Sequence, residues 1–196
     1  ATLAAFYIFS KQNLDFALLE VGLGGRLDAT NIIDSDLSII TSIGIDHTEF
    51  LGSTIDSIAN EKAGVMRPFC YSIFAGANPP ATLLSTAQSN NISFIFGHNH
   101  FSHNIYNNYW EWRGMHGTQL KLPLMPLTGD FQYNHASAAL QAIEIIDKNI
   151  LKYESFLNAG LKNVSLMGRY QKCSKHPEII TDVAHNEDSA IKLFDN

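Results

Sequence analysis

The sequence predicts an α/β fold, a mostly parallel sheet with flanking helices. Three features carry that prediction. Short apolar runs alternate with helix-period segments between residues 37 and 96, the βαβα order that builds parallel sheets. The runs are continuously apolar, as strands covered on both faces tend to be. A long amphipathic stretch follows at Phe131 to Lys148, with alanines that allow close packing.

The elements follow in chain order. Residues 1–9 (ATLAAFYIF) read as the middle of an apolar helix, and Asp188 to Asn196 as a helix that stops in mid-stride, so both ends are expected to be cut. Phe16 to Val21 (FALLEV) suits a buried strand ending in glycine. GLGGRLDATN (22–31) is turn chemistry, and Leu37 to Ile43 (LSIITSI) is a β-branched second strand. Ser53 is expected to cap a helix with Asp56 at the capping-box position. Ile55, Ile58, Ala59 and Lys62 then recur at i, i+3, i+4 and i+7, and Gly64 and Pro68 limit the helix. Tyr71 to Phe74 reads as a strand, Ala81 to Gln88 as a helix and Ile92 to Phe96 as a strand. From His98 to Leu122 the aromatic and asparagine-rich texture predicts small antiparallel strands. A helix near Glu154 to Leu161 precedes two strands, Ser165 to Cys173 and Glu178 to Val183. A boundary is expected near residues 163–167, dividing 1–164 from 165–196.

Composition narrows the function classes. A hydrophobic fraction of 45% and a charged fraction of 16% fit a soluble globular protein. The formal charge is −6 without a basic run, which argues against a nucleic-acid surface. Cys70 and Cys173 are far apart, so neither a disulfide framework nor a thiolate zinc site has support, and a cytoplasmic setting is expected. No apolar run approaches the roughly 20 residues needed to span a bilayer. The opening residues lack the features of a signal peptide.

The candidate sites lie in glycine-rich and histidine-bearing turns. Gly22-Leu23-Gly24-Gly25-Arg26-Leu27 has leucine where a dinucleotide fingerprint needs its last glycine. Glycines permitting a tight turn would account for most of the motif. They do not account for Glu20, Arg26 and Asp28 gathered at the carboxyl end of a strand, where open α/β sheets place ligands. Asp46-His47 ends the next strand. An acid and an imidazole at two strand ends suit a metal or general-base role about as well as a structural one, and favour Mg²⁺ or Mn²⁺ over structural zinc. Lys62 shares an apolar helix face. It either snorkels its ammonium outward or is partly desolvated and reactive, for example towards CO₂. His98, His100 and His103 match no standard ligand spacing. Near the end, Arg169 in MGRYQ and Asp182 in DVAHN precede a helix whose N-terminus would favour anions.

Together these segments resemble the folylpolyglutamate synthase/dihydrofolate synthase family of Mur-ligase-like amide ligases. The matching stretches are LLEVGLGGRLDATN (18–31), SIGIDHTEFLGSTIDSIANEKAGVMRP (42–68), GRYQ (168–171) and DVAHN (182–186). The resemblance implies a central ATPase domain over 1–164 and the start of a Rossmann-like C-terminal domain over 165–196. The family's glycine-rich phosphate loop would precede the region covered, so this stretch alone is expected to be inactive. The implied reaction joins L-glutamate to dihydropteroate, or to the γ-carboxylate of folates, through an acyl phosphate made from ATP. Glu20 and His47 resemble the family's Mg²⁺ ligands. Lys62 matches its carbamylated lysine, a ligand for a second ion, and with His47 is the expected catalytic pair. Gly25, Arg26, Leu27, Asp28 and Ala29 resemble its pterin-contacting loop. Arg169 and Asp182 match nucleotide contacts, with His185 beside them. The family's adenine-contacting asparagine aligns with His135, with Asn134 one place early. Met167 and Glu187 stand where the family has proline. A monomer acting on small molecules, without nucleic acid or membrane, is implied. Another Mur ligase of peptidoglycan precursors, or a non-catalytic nucleotide or pterin binder, is the alternative; a nicotinamide oxidoreductase is disfavoured by the broken fingerprint.

Overall fold

Ile73 has no exposed surface, and the architecture is built outward from it. It lies in β2 (Tyr71–Phe74), between β1 (Leu37–Ile40) and β3 (Ser93–Phe96), in the computed structural model, which describes residues 1–194. All pairings are parallel, in the order β1-β2-β3, with Ile39, Ile73 and Ile95 in register. Parallel strands need crossovers. Here these carry α2 (Thr48–Leu51) and α3 (Ile55–Ala63) after β1, and α4 (Ala81–Ser89) after β2.

Side chains alternate across the sheet with the period of a strand. Ile40 and Phe74 pack with Ala59 and Ala63 of α3 and Leu83 and Ala87 of α4. Ile73, Ala75 and Ile95 face the other way and pack with Ala138 and Ala142 of α5 (Asp130–Asp147). The result is three layers, and both covered faces explain why the strands read as continuous apolar runs. A second sheet, β4 (Ser102–Ile105), β5 (Tyr109–Arg113) and β6 (Gln119–Pro123), is antiparallel. Its alternation buries Trp110 and Trp112 with Tyr133 and Leu140 of α5 and with Leu151. The turn after β5 is held on α5 by two buried polar groups: Gln141 Oε1 accepts the Met115 amide at 3.0 Å and Glu144 Oε2 the His116 amide at 3.3 Å. Beyond α6 (Glu154–Asn163), the hairpin of β7 (Gln171–Lys175) and β8 (Glu178–Thr181) forms its own sheet, followed by α7 (Glu187–Phe194). The expected C-terminal helix begins one residue earlier than read, and positions 195 and 196 lie outside the described residues. α1 (Thr2–Phe9) buries none of its residues. No helix among the described residues is long and apolar enough to cross a membrane.

Four expectations change. Phe16 to Val21 is not a strand: among the described residues no partner pairs with it. Its latter half and β1 instead both border the cavity described below. The strand expected over 37–43 ends at Ile40. The cap of α3 is Thr54 rather than Ser53, in a reciprocal capping box with Ser57; Asp56 instead accepts the Thr82 hydroxyl of α4 at 2.6 Å. The strand expected from Ser165 starts only at Gln171, because Gly168 and Tyr170 take positive φ (66° and 47°) and turn the chain.

Inside the sheet, the buried hydroxyls of Ser38 and Ser72 hydrogen-bond across β1 and β2 at 2.8 Å. Removing one strands the other in an apolar layer. Ser38→Ala should therefore cost about 1–3 kcal/mol. Adding Ser72→Ala should cost markedly less than Ser72→Ala alone in the wild-type background, a non-additivity that urea-unfolding midpoints would register.

Candidate functional site

The site begins where β1 ends. After Ile40 the chain runs irregularly to Asp46, and His47 then adopts a left-handed conformation (φ 50°) as α2 starts. Few residues other than glycine accept that conformation, and such strain tends to persist where surroundings impose it. Here Asp46 Oδ1 accepts the His47 amide at 2.8 Å. The other carboxylate oxygen, Oδ2, accepts Asn186 Nδ2 at 2.8 Å and lies 3.4 Å from His185 Nε2 and 3.7 Å from His47 Nε2. Burial pushes the Asp46 carboxyl up, but the His47 amide, the Asn186 amide and the two imidazoles outweigh it and hold it below its ordinary 3.8. Residues 140 positions apart thus meet on one oxygen.

Glu20, His47 and Lys62 border a single cavity of about 660 Å³, with Gly24, Asp46 and Asn186 among its other walls. Glu20 enters from an irregular exposed segment rather than a strand. Lys62 enters from α3, half-buried beside the buried Ile58 and Ala59, as its helical spacing requires. Burial lowers its pKa below 10.5, and the nearby Asp46 carboxylate opposes part of that shift. A lysine so placed offers more neutral amine than a solvated one.

The 22–31 loop is clasped onto the helices carrying these groups. Gly24 has φ 69°, and a β-carbon there would lie 2.8 Å from Leu51 Cδ2 of α2. At Gly25 a β-carbon would meet the Glu61 carbonyl of α3 at 2.9 Å. Arg26 donates its amide to that carbonyl at 2.8 Å, and its Nε and Nη2 reach Glu61 Oε1 at 3.0 and 2.9 Å. Asp28 faces into the loop: Oδ2 accepts the Gly22 and Leu23 amides, and Oδ1 accepts the amide and hydroxyl of Thr30. Those bonds, led by the Thr30 amide, hold its carboxyl below the usual 3.8. Leu27 and Ala29 are exposed.

The C-terminal candidates separate. Asp182 holds a turn, its Oδ2 accepting the Tyr170 amide at 2.7 Å and its Oδ1 the Ala184 amide at 2.8 Å. His185 reaches Asp46, whereas Arg169 borders a second cavity of about 500 Å³ with Lys162 and Lys172. Asn134 and His135 lie in the first turns of α5 and line neither cavity; His135 packs edge-on against Phe131. Of the GHNHFSH histidines, His103 hydrogen-bonds Ser137 at 3.0 Å. Among the described residues the one three-residue cluster with metal-ligand spacing is Asp46, His47 and His185. Sequence reasoning gave no role to Asn186 or Ser189. Their signal was the Asn-x-x-Ser spacing at the start of a helix, where each side chain bonds the other's backbone amide.

No family profile matches the chain. Individual relatives do. The dihydrofolate synthase/folylpolyglutamate synthase of Escherichia coli is 38% identical over 96% of this chain and 43% of its own length. The chain belongs to the dihydrofolate synthase/folylpolyglutamate synthase family. A solved structure of E. coli FolC in complex with DHPP and ADP superposes with a TM-score of 0.87 at 37% identity, over 98% of this chain and 45% of that one. A bifunctional folylpolyglutamate synthase/dihydrofolate synthase with Mn, AMPPNP and L-glutamate bound gives 0.81 at 35% identity, over 99% and 46%. The chain therefore spans a little under half the length of the family members it matches.

The 22–31 loop depends on Asp28. A lowered folded-state pKa means its contribution is present above the unfolded value of 3.8 and is lost as pH falls through the lower folded value. Amide exchange at Gly22, Leu23 and Thr30, corrected for intrinsic rates, should keep constant protection from about pH 7 to 5. In Asp28→Ala that protection should be lost throughout the range.

Proposed function

We propose that the whole protein joins L-glutamate to dihydropteroate, to folates, or to both, at the expense of ATP. The observation that carries this reading is the convergence of Glu20, His47 and Lys62 on one cavity beside the 22–31 loop, in a chain of this family. The donor chemistry suits a hard divalent ion: a carboxylate and an imidazole, plus an amine whose burial favours the neutral form. In this reading Glu20 and His47 hold Mg²⁺, and a carbamate on Lys62 supplies anionic oxygen for a second ion. Bound there, Mg²⁺ would offset charge on the transferring phosphoryl group.

The reaction follows from the bonds that must change. A substrate carboxylate oxygen attacks the γ-phosphorus of ATP, the bond to ADP breaks, and an acyl phosphate forms. The glutamate amine attacks the acyl carbon, loses a proton, and phosphate departs as the amide forms. Neither step needs a protein nucleophile, so the chain's part is to position groups and exclude water. Gly25, Arg26, Leu27, Asp28 and Ala29 are assigned to the pterin side, with Gly25 and Arg26 fixed to α3 and Leu27 exposed for contact. Arg169, Asp182 and His185 are assigned to the nucleotide, Asp182 by shaping the turn that carries His185. Asn134 and His135 receive no role.

We further propose that residues 1–164 form the central domain and 165–196 open the C-terminal one. The separate β7–β8 sheet supports that division. A monomer in the cytoplasm, acting on small molecules, completes the reading.

The test is ADP release by the full-length protein with Mg-ATP, dihydropteroate and L-glutamate. Release should require both the pterin substrate and glutamate, and Lys62→Ala should lower kcat by about 10²-fold or more, with partial rescue by short carboxylates. Glutamate-independent ADP release, or a Lys62→Ala variant of normal rate, would contradict it.

A further inference from the structure

We propose that Asp46, His47 and His185 form a second cation site, selective for Zn²⁺-like transition metals, that pins the 182–194 segment onto the turn that opens α2. Three observations support it. The ligand atoms converge: His185 Nε2 and His47 Nε2 lie 3.4 and 3.7 Å from Asp46 Oδ2, and all three atoms fall within 4.8 Å of one another. Tetrahedral bonds of about 2.0–2.1 Å place donors roughly 3.3–3.4 Å apart, so the His185–Asp46 pair already has that spacing and His47 must draw closer.

The second observation is orientation. His185 Nδ1 lies 2.8 Å from the Val183 carbonyl, which can only accept, so Nδ1 carries the proton and Nε2 presents a lone pair when the ring is neutral. Metal-binding histidines are typically fixed by such an outer bond. Asn186 Nδ2 plays the same part for Asp46, holding Oδ2 at 2.8 Å. Ser189 in turn braces that turn by accepting the His185 and Asn186 amides, both at 3.1 Å.

The third is access. His47, His185 and Asp46 keep about half, 63% and 34% of their side-chain surface exposed. Asp46 and His47 border the open cavity, leaving a fourth position for water or a ligand. Two imidazoles and one carboxylate with an open position suit Zn²⁺ or Co²⁺ better than Mg²⁺. Lys62 lies near Asp46 and Arg169 near His185, so their positive charges oppose the ion and weaken its binding.

Because His47 belongs to both sites, zinc at this one should compete with the Mg²⁺ assignment above; that consequence, unlike zinc binding itself, rests on the proposed function. The test is calorimetric titration of the nucleotide-free full-length protein with ZnCl₂ under reducing conditions, alongside amide exchange over residues 184–189. Saturable binding should slow that exchange. His185→Ala and Asp46→Asn, each checked for native circular dichroism, should weaken zinc binding at least tenfold and abolish the slowing. Glu20→Gln and His98→Ala should leave zinc affinity unchanged. Absence of saturable binding, or binding indifferent to His185→Ala and Asp46→Asn, overturns the site. Equal weakening by Glu20→Gln would place zinc at the Mg²⁺ position and also overturn it, while supporting the functional reading. Zinc binding without glutamate-dependent ADP release would leave this site standing and remove that reading.

Discussion

The close approach of Gly24 and Gly25 to two helices is the constraint on which the cavity depends. One glycine lets Leu51 of α2 lie against the loop, and the other lets the Arg26 amide reach the Glu61 carbonyl of α3. α2 follows His47 directly, and Lys62 is the next residue after Glu61. The glycines thus fix the loop against both elements that carry the candidate ligands. Any β-carbon at Gly25 would press on backbone atoms, which cannot move aside as a flexible side chain can.

The layers behind the cavity make that arrangement rigid. Packing of α3 and α4 on one face and α5 on the other covers the central strand β2 on both sides. The site therefore sits at the sheet's carboxyl end, on irregular segments held by a packed scaffold. Its polar groups are largely spent on positioning one another. Asp28 holds the loop, Asp182 holds the final turn, and Asp46 gathers His47, His185 and Asn186.

Much of this was legible in the residues. β2 lies where its apolar run predicted, and α4, β3 and α5 within a residue at either end, because their apolar periodicities match the faces they bury. Lys62 was visible as a lysine out of place on an apolar face. Phe16 to Val21 misled because a strand needs a partner, and periodicity records only apolarity. Thr54 displaced Ser53 as the cap because neighbouring hydroxyl residues look alike in sequence and only the entry angle of the chain chooses between them. The meeting of Asp46 with His185 and Asn186 could not be read at all, since contacts so distant in the chain leave no local pattern. Asp28 illustrates a different limit: its position was evident, but its inward-facing hydrogen bonds were not.

The central claim is that Glu20 and His47 hold a divalent ion in the cavity that a carbamylated Lys62 also lines. Anomalous diffraction from Mn²⁺ in crystals of the full-length protein with a non-hydrolysable ATP analogue addresses it directly. The account predicts a peak in that cavity within bonding distance of a Glu20 oxygen and a His47 nitrogen, with extra density on Lys62 Nζ facing it. A peak bound by neither Glu20 nor His47 would contradict it.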